Sequence, residues 1–327
     1  MKKLCAIGEA LIDFIPNEKG KRLKDVTSFR QVPGGAPANV AASVSRLNGE
    51  SILLTKLGED AFGDRIIESL IDSGINTAYI KRSSTKDTSL AFVSLSDDGN
   101  RDFKFYRKTA ADLDYSPNDI PVDVLDDCGV IHFCSVSLVD SPMKEAHKKL
   151  IEIANDKNIL ISFDPNLRLS LWEDHLALKK TVQEFLPVAD IIKLSDEELE
   201  FITDCTSINE ALPNLFEGKC KLVLYTKGKD GVSCYLRNGE TIDVAGYKVD
   251  VVDTTGAGDS FIGAFLYKLL ENNCFNLMEI NLEKYTAFLK FANAYAAHTT
   301  TKEGALNALA SLEEIELFID KLNGKSI

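Results

Sequence analysis

No Cys-x-x-Cys pair occurs in this 327-residue chain, although it has seven cysteines, at positions 5, 128, 134, 205, 220, 234 and 274. An odd, scattered set argues against a disulfide framework or zinc knuckle and for reduced, buried thiols. The four histidines make no His-Glu-x-x-His or comparable spacing, so a structural zinc site is not expected. No stretch approaches the roughly 20 apolar residues that cross a bilayer. The opening "MKKLCAIGEALIDFIP" begins like an export signal, but Glu9 and Asp13 interrupt its apolar run and no Ala-x-Ala cleavage site follows. A cytoplasmic location is the expectation. Excess positive charge is missing too: the formal net charge is −13, with both signs interspersed. That balance disfavours nucleic acid or an anionic membrane as a general partner.

What is present is enough for a large core, with 45% hydrophobic and 27% charged residues. Short apolar runs recur at 3–8, 51–58, 129–138, 158–164, 190–195 and 221–228. Runs apolar at consecutive positions fit strands buried on both faces of a parallel sheet. Helical patterns separate them. Phe62, Ile66 and Leu70 keep one stripe that stops at Gly74, and Ser141 with Pro142 starts another helix. The alternation predicts a doubly wound, mostly parallel α/β sheet flanked by helices, within one domain over 1–327. Residues 11–33 and 87–107 break the rhythm and read as a small β-sheet appendage, a lid or a dimer contact. Within the second, "SDDGN" (96–100) reads as a hairpin turn.

Two glycine-rich turns carry the chemistry, and neither has the lysine of the usual phosphate loop. In "VVDTTGAGDSFIGAF" (251–265) a helix should begin near Gly256. Exposed N–H groups and the positive dipole end favour an anion there, and Gly256 and Gly258 allow close backbone approach. Asp259 is counterproductive beside a pure anion site, but suits a general base next to a phosphoryl acceptor; it could equally complement the helix dipole. In "VPGGAPANVAASVSRLNG" (32–49), Gly34 and Gly35 precede a helix whose first turn holds Asn39, or simply form a tight junction.

Two further clusters follow strand patterns. "FDPNLRLSLW" (163–172) gathers Asp164, Asn166 and Arg168, and Arg168 could bind phosphate or a sugar oxygen, or brace the loop. In "KLSDEE" (193–198), Ser195 and Glu198 match a capping box; a functional Glu198 would act on phosphate-bound Mg²⁺ through water.

Taken together, these elements resemble the ribokinase-like (PfkB) family of carbohydrate kinases. The likeness is carried chiefly by "GGAPANVAASVSRLNGESILLTKLGEDAFG" (34–63) and "DTTGAGDSF" (253–261), and it covers nearly the whole chain in order. "GEALIDFIP" (8–16), "SVSLVDSP" (135–142) and "DPNLRLSLW" (164–172) are most similar to the fructokinases of that family. The resemblance implies a larger α/β domain with a β lid, and transfer of the ATP γ-phosphoryl group to a sugar hydroxyl. It implies that Asp259 is the base and that the amides of Gly256, Ala257, Gly258 and Asp259 form an anion hole. Asp13, Gly34, Gly35 and Asn39 match sugar-contacting positions, with Phe105 and Arg107 reaching the sugar from the lid and Arg168 from below. Thr226, Gly228, Gly231 and Asn293 match the nucleotide side; Lys193 and Glu198 match the phosphate and Mg²⁺ side. Asp253 and Thr255 match ligands of a monovalent cation, K⁺. Ser195 departs from the Asn of many relatives, which weakens the Mg²⁺ role. The same layout serves 2-keto-3-deoxygluconate kinases, whose arginines at positions like 107 and 168 can bind a carboxylate. A sugar- or nucleotide-binding regulator without catalysis is the alternative from another class.

Overall fold

The computed structural model describes every residue except 19, 96–100, 173, 323 and 325–327. The expected hairpin turn at 96–100 therefore lies outside the described residues.

The main sheet is built from β1 (Lys3–Ile7), β4 (Ser51–Leu54), β9 (Cys128–Cys134), β10 (Leu160–Asp164), β11 (Ile191–Ser195), β12 (Leu222–Thr226), β13 (Val232–Leu236) and β14 (Thr241–Val244). Their spatial order is β14-β13-β12-β11-β10-β9-β1-β4. Every pair from β12 to β4 is parallel, and β12-β13-β14 is an antiparallel edge. The inner strands β9 and β10 are buried end to end, and β1 beyond Lys3, because helices cover both faces. Alternate residues of β1 feed opposite cores: Leu4 and Ala6 enter one, Cys5 and Ile7 the other. β14 shows the alternating exposure of an edge strand. Of that edge, β12 falls in the strand expected at 221–228, while β13 and β14 are not among the strands expected from sequence.

The chain order reverses at β1, which lies between β4 and β9. In an open α/β sheet this switch point opens a crevice beyond the carboxyl ends of the strands. Two helices begin at it, α1 (Ala36–Arg46) and α7 (Ala257–Glu271), and α8 (Leu282–Thr300) packs against α7. The others are α2 (Ala61–Asp72), α3 (Pro142–Asp156), α4 (His175–Phe185), α5 (Asp196–Thr203), α6 (Ile208–Leu215) and α9 (Leu312–Leu322). The expected signals operate locally. Ser141 caps α3 with Pro142 at its start, and Gly74 follows α2 at φ 83°. α1 and α7 approach closely because position 263 is glycine: a Cβ there would lie 2.5 Å from that of Ser43.

The appendage is a four-stranded sheet ordered β3-β2-β7-β8, from β2 (Leu11–Pro16), β3 (Phe29–Gly34), β7 (Leu90–Leu95) and β8 (Arg101–Tyr106). β5 (Lys56–Gly58) and β6 (Lys81–Ser83) form a separate parallel pair. Register separates the two faces of the small sheet. Asp13, Ala91 and Phe105 share one cross-strand row, while Phe14 and Phe92 share the next and stack at 4.6 Å. The row with Asp13 and Phe105 faces the crevice.

Candidate active site

Asp259 and its surroundings occupy a cavity of about 70 Å³ at the switch point. β1 delivers Glu9, β2 Leu11 and Asp13, and the start of α1 Gly35, Ala36 and Asn39. Phe105 comes from β8, Val136 follows β9, and Asn166 and Arg168 follow β10. Thr255, Gly256 and Asp259 come from the start of α7, with Ala305 packed beside Gly256. Asp13, Gly35, Asn39, Phe105, Arg168, Gly256 and Asp259, far apart in sequence, thus share one cavity.

Gly256 caps α7 in the left-handed region (φ 76°), so Asp259 is the third helical residue. The Ala257 N–H closes a turn onto the Thr254 carbonyl. The N–H groups of Gly256, Gly258 and Asp259 have no backbone partner among the described residues. An anion hole here would therefore draw on three amides where sequence suggested four. Asp259 is buried and gripped at both oxygens: Asn39 Nδ2 donates to Oδ2 at 2.8 Å and Asn166 Nδ2 to Oδ1 at 3.3 Å. Burial pushes its carboxyl above the ordinary range, against the pull of the Asn39 bond, Arg168 and Lys193. Asn39 Oδ1 is buried and has no partner, which leaves an acceptor at the cavity wall.

Lys193 is buried and paired with Asp164 at 2.9 Å. Burial alone would lower its ammonium pKa, but Asp164, Glu198 and Asp259 more than offset that and hold it charged. Its Nζ lies 3.0 Å from where a Cβ on Gly258 would be, so a fixed positive charge abuts the α7 turn. Glu198 forms the capping box, accepting from the Ser195 N–H and Oγ, while its other oxygen accepts from the Leu167 N–H at 2.7 Å. Its carboxylate is thus occupied by the loop after β10 and the start of α5. Thr226 ends β12 in register with Ser195, and Gly228 (φ 52°) and Gly231 (φ 98°) follow at the same edge of the sheet. Nothing stands within 4 Å of a Cβ on Gly228, so that turn is open. Asp253 accepts from the Thr255 N–H and Oγ1 through one oxygen and from the Gly304 N–H through the other.

Two of the expected site residues are engaged within the fold. Arg107 does not line the cavity. It is buried behind it, donating to Asp112, to the Val136 carbonyl and to Ser137 Oγ, and Ser137 donates in turn to Glu9. Asp112 draws the guanidinium inward as a buried ion pair. Asn293 likewise faces inward, donating to the carbonyls of Val244 and Ala245 to fix the segment after β14. Gly34 backs Asp13 without lining the cavity. Glu9, Asn166 and Ala305 line the cavity, yet sequence assigned them no role. The tight pair Gly304-Ala305 was the available signal for the last.

The sequence matches the pfkB family carbohydrate kinase profile over residues 1–312. It is 40% identical over 312 residues to fructokinase-2 of Solanum lycopersicum, covering 95% of this chain and 94% of that one. The crystal structure of a fructokinase with bound ATP from Xylella fastidiosa superposes with a TM-score of 0.89 at 33% identity, covering 98% and 99%. A fructokinase double mutant from Vibrio cholerae O395, with fructose, ADP and potassium ion bound, superposes with a TM-score of 0.86 at 31% identity, covering 97% and 98%.

Proposed function

This chain belongs to the pfkB family of carbohydrate kinases, and from that footing we propose that it is an ATP-dependent fructokinase, making ADP and fructose 6-phosphate. The observation that carries the reading is a buried carboxylate, Asp259, at the third residue of a helix whose Gly258 and Asp259 N–H groups have no backbone partner among the described residues. Asp259 takes the proton of the sugar hydroxyl as its oxygen bonds to the γ-phosphorus and the bridge to the β-phosphate breaks. The N–H groups of Gly256, Gly258 and Asp259, the helix dipole and Lys193 stabilise charge on the transferred group. Asp13, Asn39, Phe105 and Arg168 hold the sugar, with the small sheet as a lid. ATP lies along Thr226, Gly228 and Gly231, where the open glycine turn suits a close-lying nucleotide. Glu198, its carboxylate occupied, would hold Mg²⁺ only through water, and the ion would there supply charge neutralisation of the ATP phosphates. Asp253, a buried carboxylate, and the half-buried Thr255 hydroxyl suit a monovalent cation such as K⁺.

Fructose is favoured over an acidic sugar because Glu9, Asp13 and Asp259 all line the cavity, and Arg168 is the cation lining it with them. Arg107, the second arginine that a carboxylate would need, is committed to Asp112. Among the described residues no helix is long and apolar enough to cross a membrane; a cytoplasmic location fits that reading. An ATP-dependent phosphorylation panel with fructose, 2-keto-3-deoxygluconate, ribose, glucose and adenosine tests the function. Fructose should give the highest kcat/KM. If 2-keto-3-deoxygluconate leads, the substrate is wrong and the mechanism stands. Sugar binding without turnover on any acceptor would favour a regulator.

A further inference from the structure

The side chain of an aspartate turns easily about χ2, a broad two-fold torsion. One donor on Asp259, from Asn39, leaves that rotation open. The second, Asn166 Nδ2 on Oδ1, closes it. Asn166 is itself tightly set. It stands at φ 43°, in the left-handed region that asparagine tolerates, and its N–H donates to Asp164 Oδ1 at 3.1 Å. On either side the Pro165 carbonyl accepts from the Ser135 N–H, and the Leu167 N–H donates to Glu198. The other oxygen of Asp164 holds Lys193 Nζ, beside the Gly258 turn.

We propose that Asn166 is a positioning residue that fixes the plane of the Asp259 carboxylate, and that Asp164 joins this plane to the Lys193 ammonium on the phosphate side. Proton acceptor and phosphoryl-side cation then keep one mutual geometry whether or not substrates are bound. The inference rests on Asp259 being the base and is independent of which sugar is phosphorylated.

Asn166→Gly in the full chain is the test, because glycine keeps the left-handed backbone while deleting the amide. A lost hydrogen bond to a charged group should lower kcat about tenfold or more. The sugar KM should move less than about threefold. The acid limb of the kcat profile should move to higher pH, since a donor that favours the carboxylate is gone. The other groups facing Asp259, namely Asn39, Arg168, Lys193, Glu198 and Asp164, with Glu9 and Asp13 across the cavity, stay unchanged in this variant. Asn166→Asp, nearly isosteric, should move the limb further up by setting a second carboxylate against the first, and it carries the pH test if the glycine variant does not fold. Parental kcat and acid limb in Asn166→Gly, with Asp259→Asn inactive, overturn the positioning role. So does a loss confined to KM. Full activity in Asp259→Asn would instead remove the base reading beneath it.

Discussion

Gly263→Ala is the sharpest probe of how the two glycine-rich elements are joined. The new Cβ would meet Ser43 Cβ at 2.5 Å, Ser43 Oγ at 3.0 Å and the Val40 carbonyl at 3.1 Å. α1 must therefore retreat by about 0.9 Å to reach the 3.4 Å at which ordinary contact begins. Ser43 cannot move alone, because its Oγ donates to the Asn39 carbonyl at 2.8 Å, and Asn39 Nδ2 holds Asp259. For stability two effects oppose: alanine gains roughly 0.8–1.0 kcal/mol of helix propensity, and overpacking costs roughly 1–3 kcal/mol. The net loss is on the order of 0–2 kcal/mol, a Tm decrease of a few degrees at most. Activity has no such compensation. A misplacement approaching 1 Å can cost about a hundredfold, so kcat should fall by roughly ten- to a hundredfold. Thermal unfolding and coupled ADP-release kinetics on the same preparation separate the two. In a Ser43→Gly background, which deletes the opposing Cβ, the same substitution should cost less kcat. A Gly263→Ala enzyme with kcat within about twofold of the parent would refute the coupling.

Asp259→Asn should lower kcat at least about a hundredfold, and near-normal turnover would exclude the base. The same variant tests burial of its charge. A carboxyl whose folded pKa is raised contributes stability below its unfolded value, near 3.9, and loses it as pH rises through the folded value. At pH 7 the ligand-free Asn variant should therefore match or exceed the parental Tm, and a clear drop contradicts the argument. Arg107→Ala leaves Asp112 buried without its cation, which costs about 3–5 kcal/mol. Its Tm should fall by roughly 5–10 °C; an unchanged Tm would return Arg107 to the ligand. Gly258→Ala sets a Cβ 3.0 Å from Lys193 Nζ, so the ATP KM should rise about tenfold while Tm stays near the parental value, as followed by ATP titration. Unaltered ATP kinetics would detach Lys193 from the phosphate side.

Much of this was legible because its causes are local. The caps of α2 and α3 and the apolar central strands follow from neighbouring residues, as does the position of Asp259 in the first turn of α7. The antiparallel edge was legible in principle: Asn238-Gly239, with Gly239 at φ 90°, is a turn signal between alternating strands. Its outer strands, β13 and β14, lack the continuous apolar run that marks a strand buried on both faces. Asn166 was singled out with Asp164 and Arg168, but its partner lies 93 residues away, a distance no local pattern spans. Arg107, expected at the sugar, turns inward for a different reason. A long side chain at the end of a strand can point either way, and the buried Asp112 decides the direction.

That arginine also bears on how the site could change. Asp112 accepts from Arg107 and, at 2.5 Å, from Ser89 Oγ, so one carboxylate fastens the start of β7 to the end of β8. A lineage drifting toward acidic substrates would have to recruit Arg107 into the cavity and so unfasten the strand pair that carries Phe105. Breaking a buried pair costs about 3–5 kcal/mol, a large share of the stability of an ordinary domain. The taste for a neutral sugar is guarded by the fold as well as by the cavity. Evolution would find a route to new neutral sugars, through Leu11 or Val136, far shorter than a route to a sugar acid.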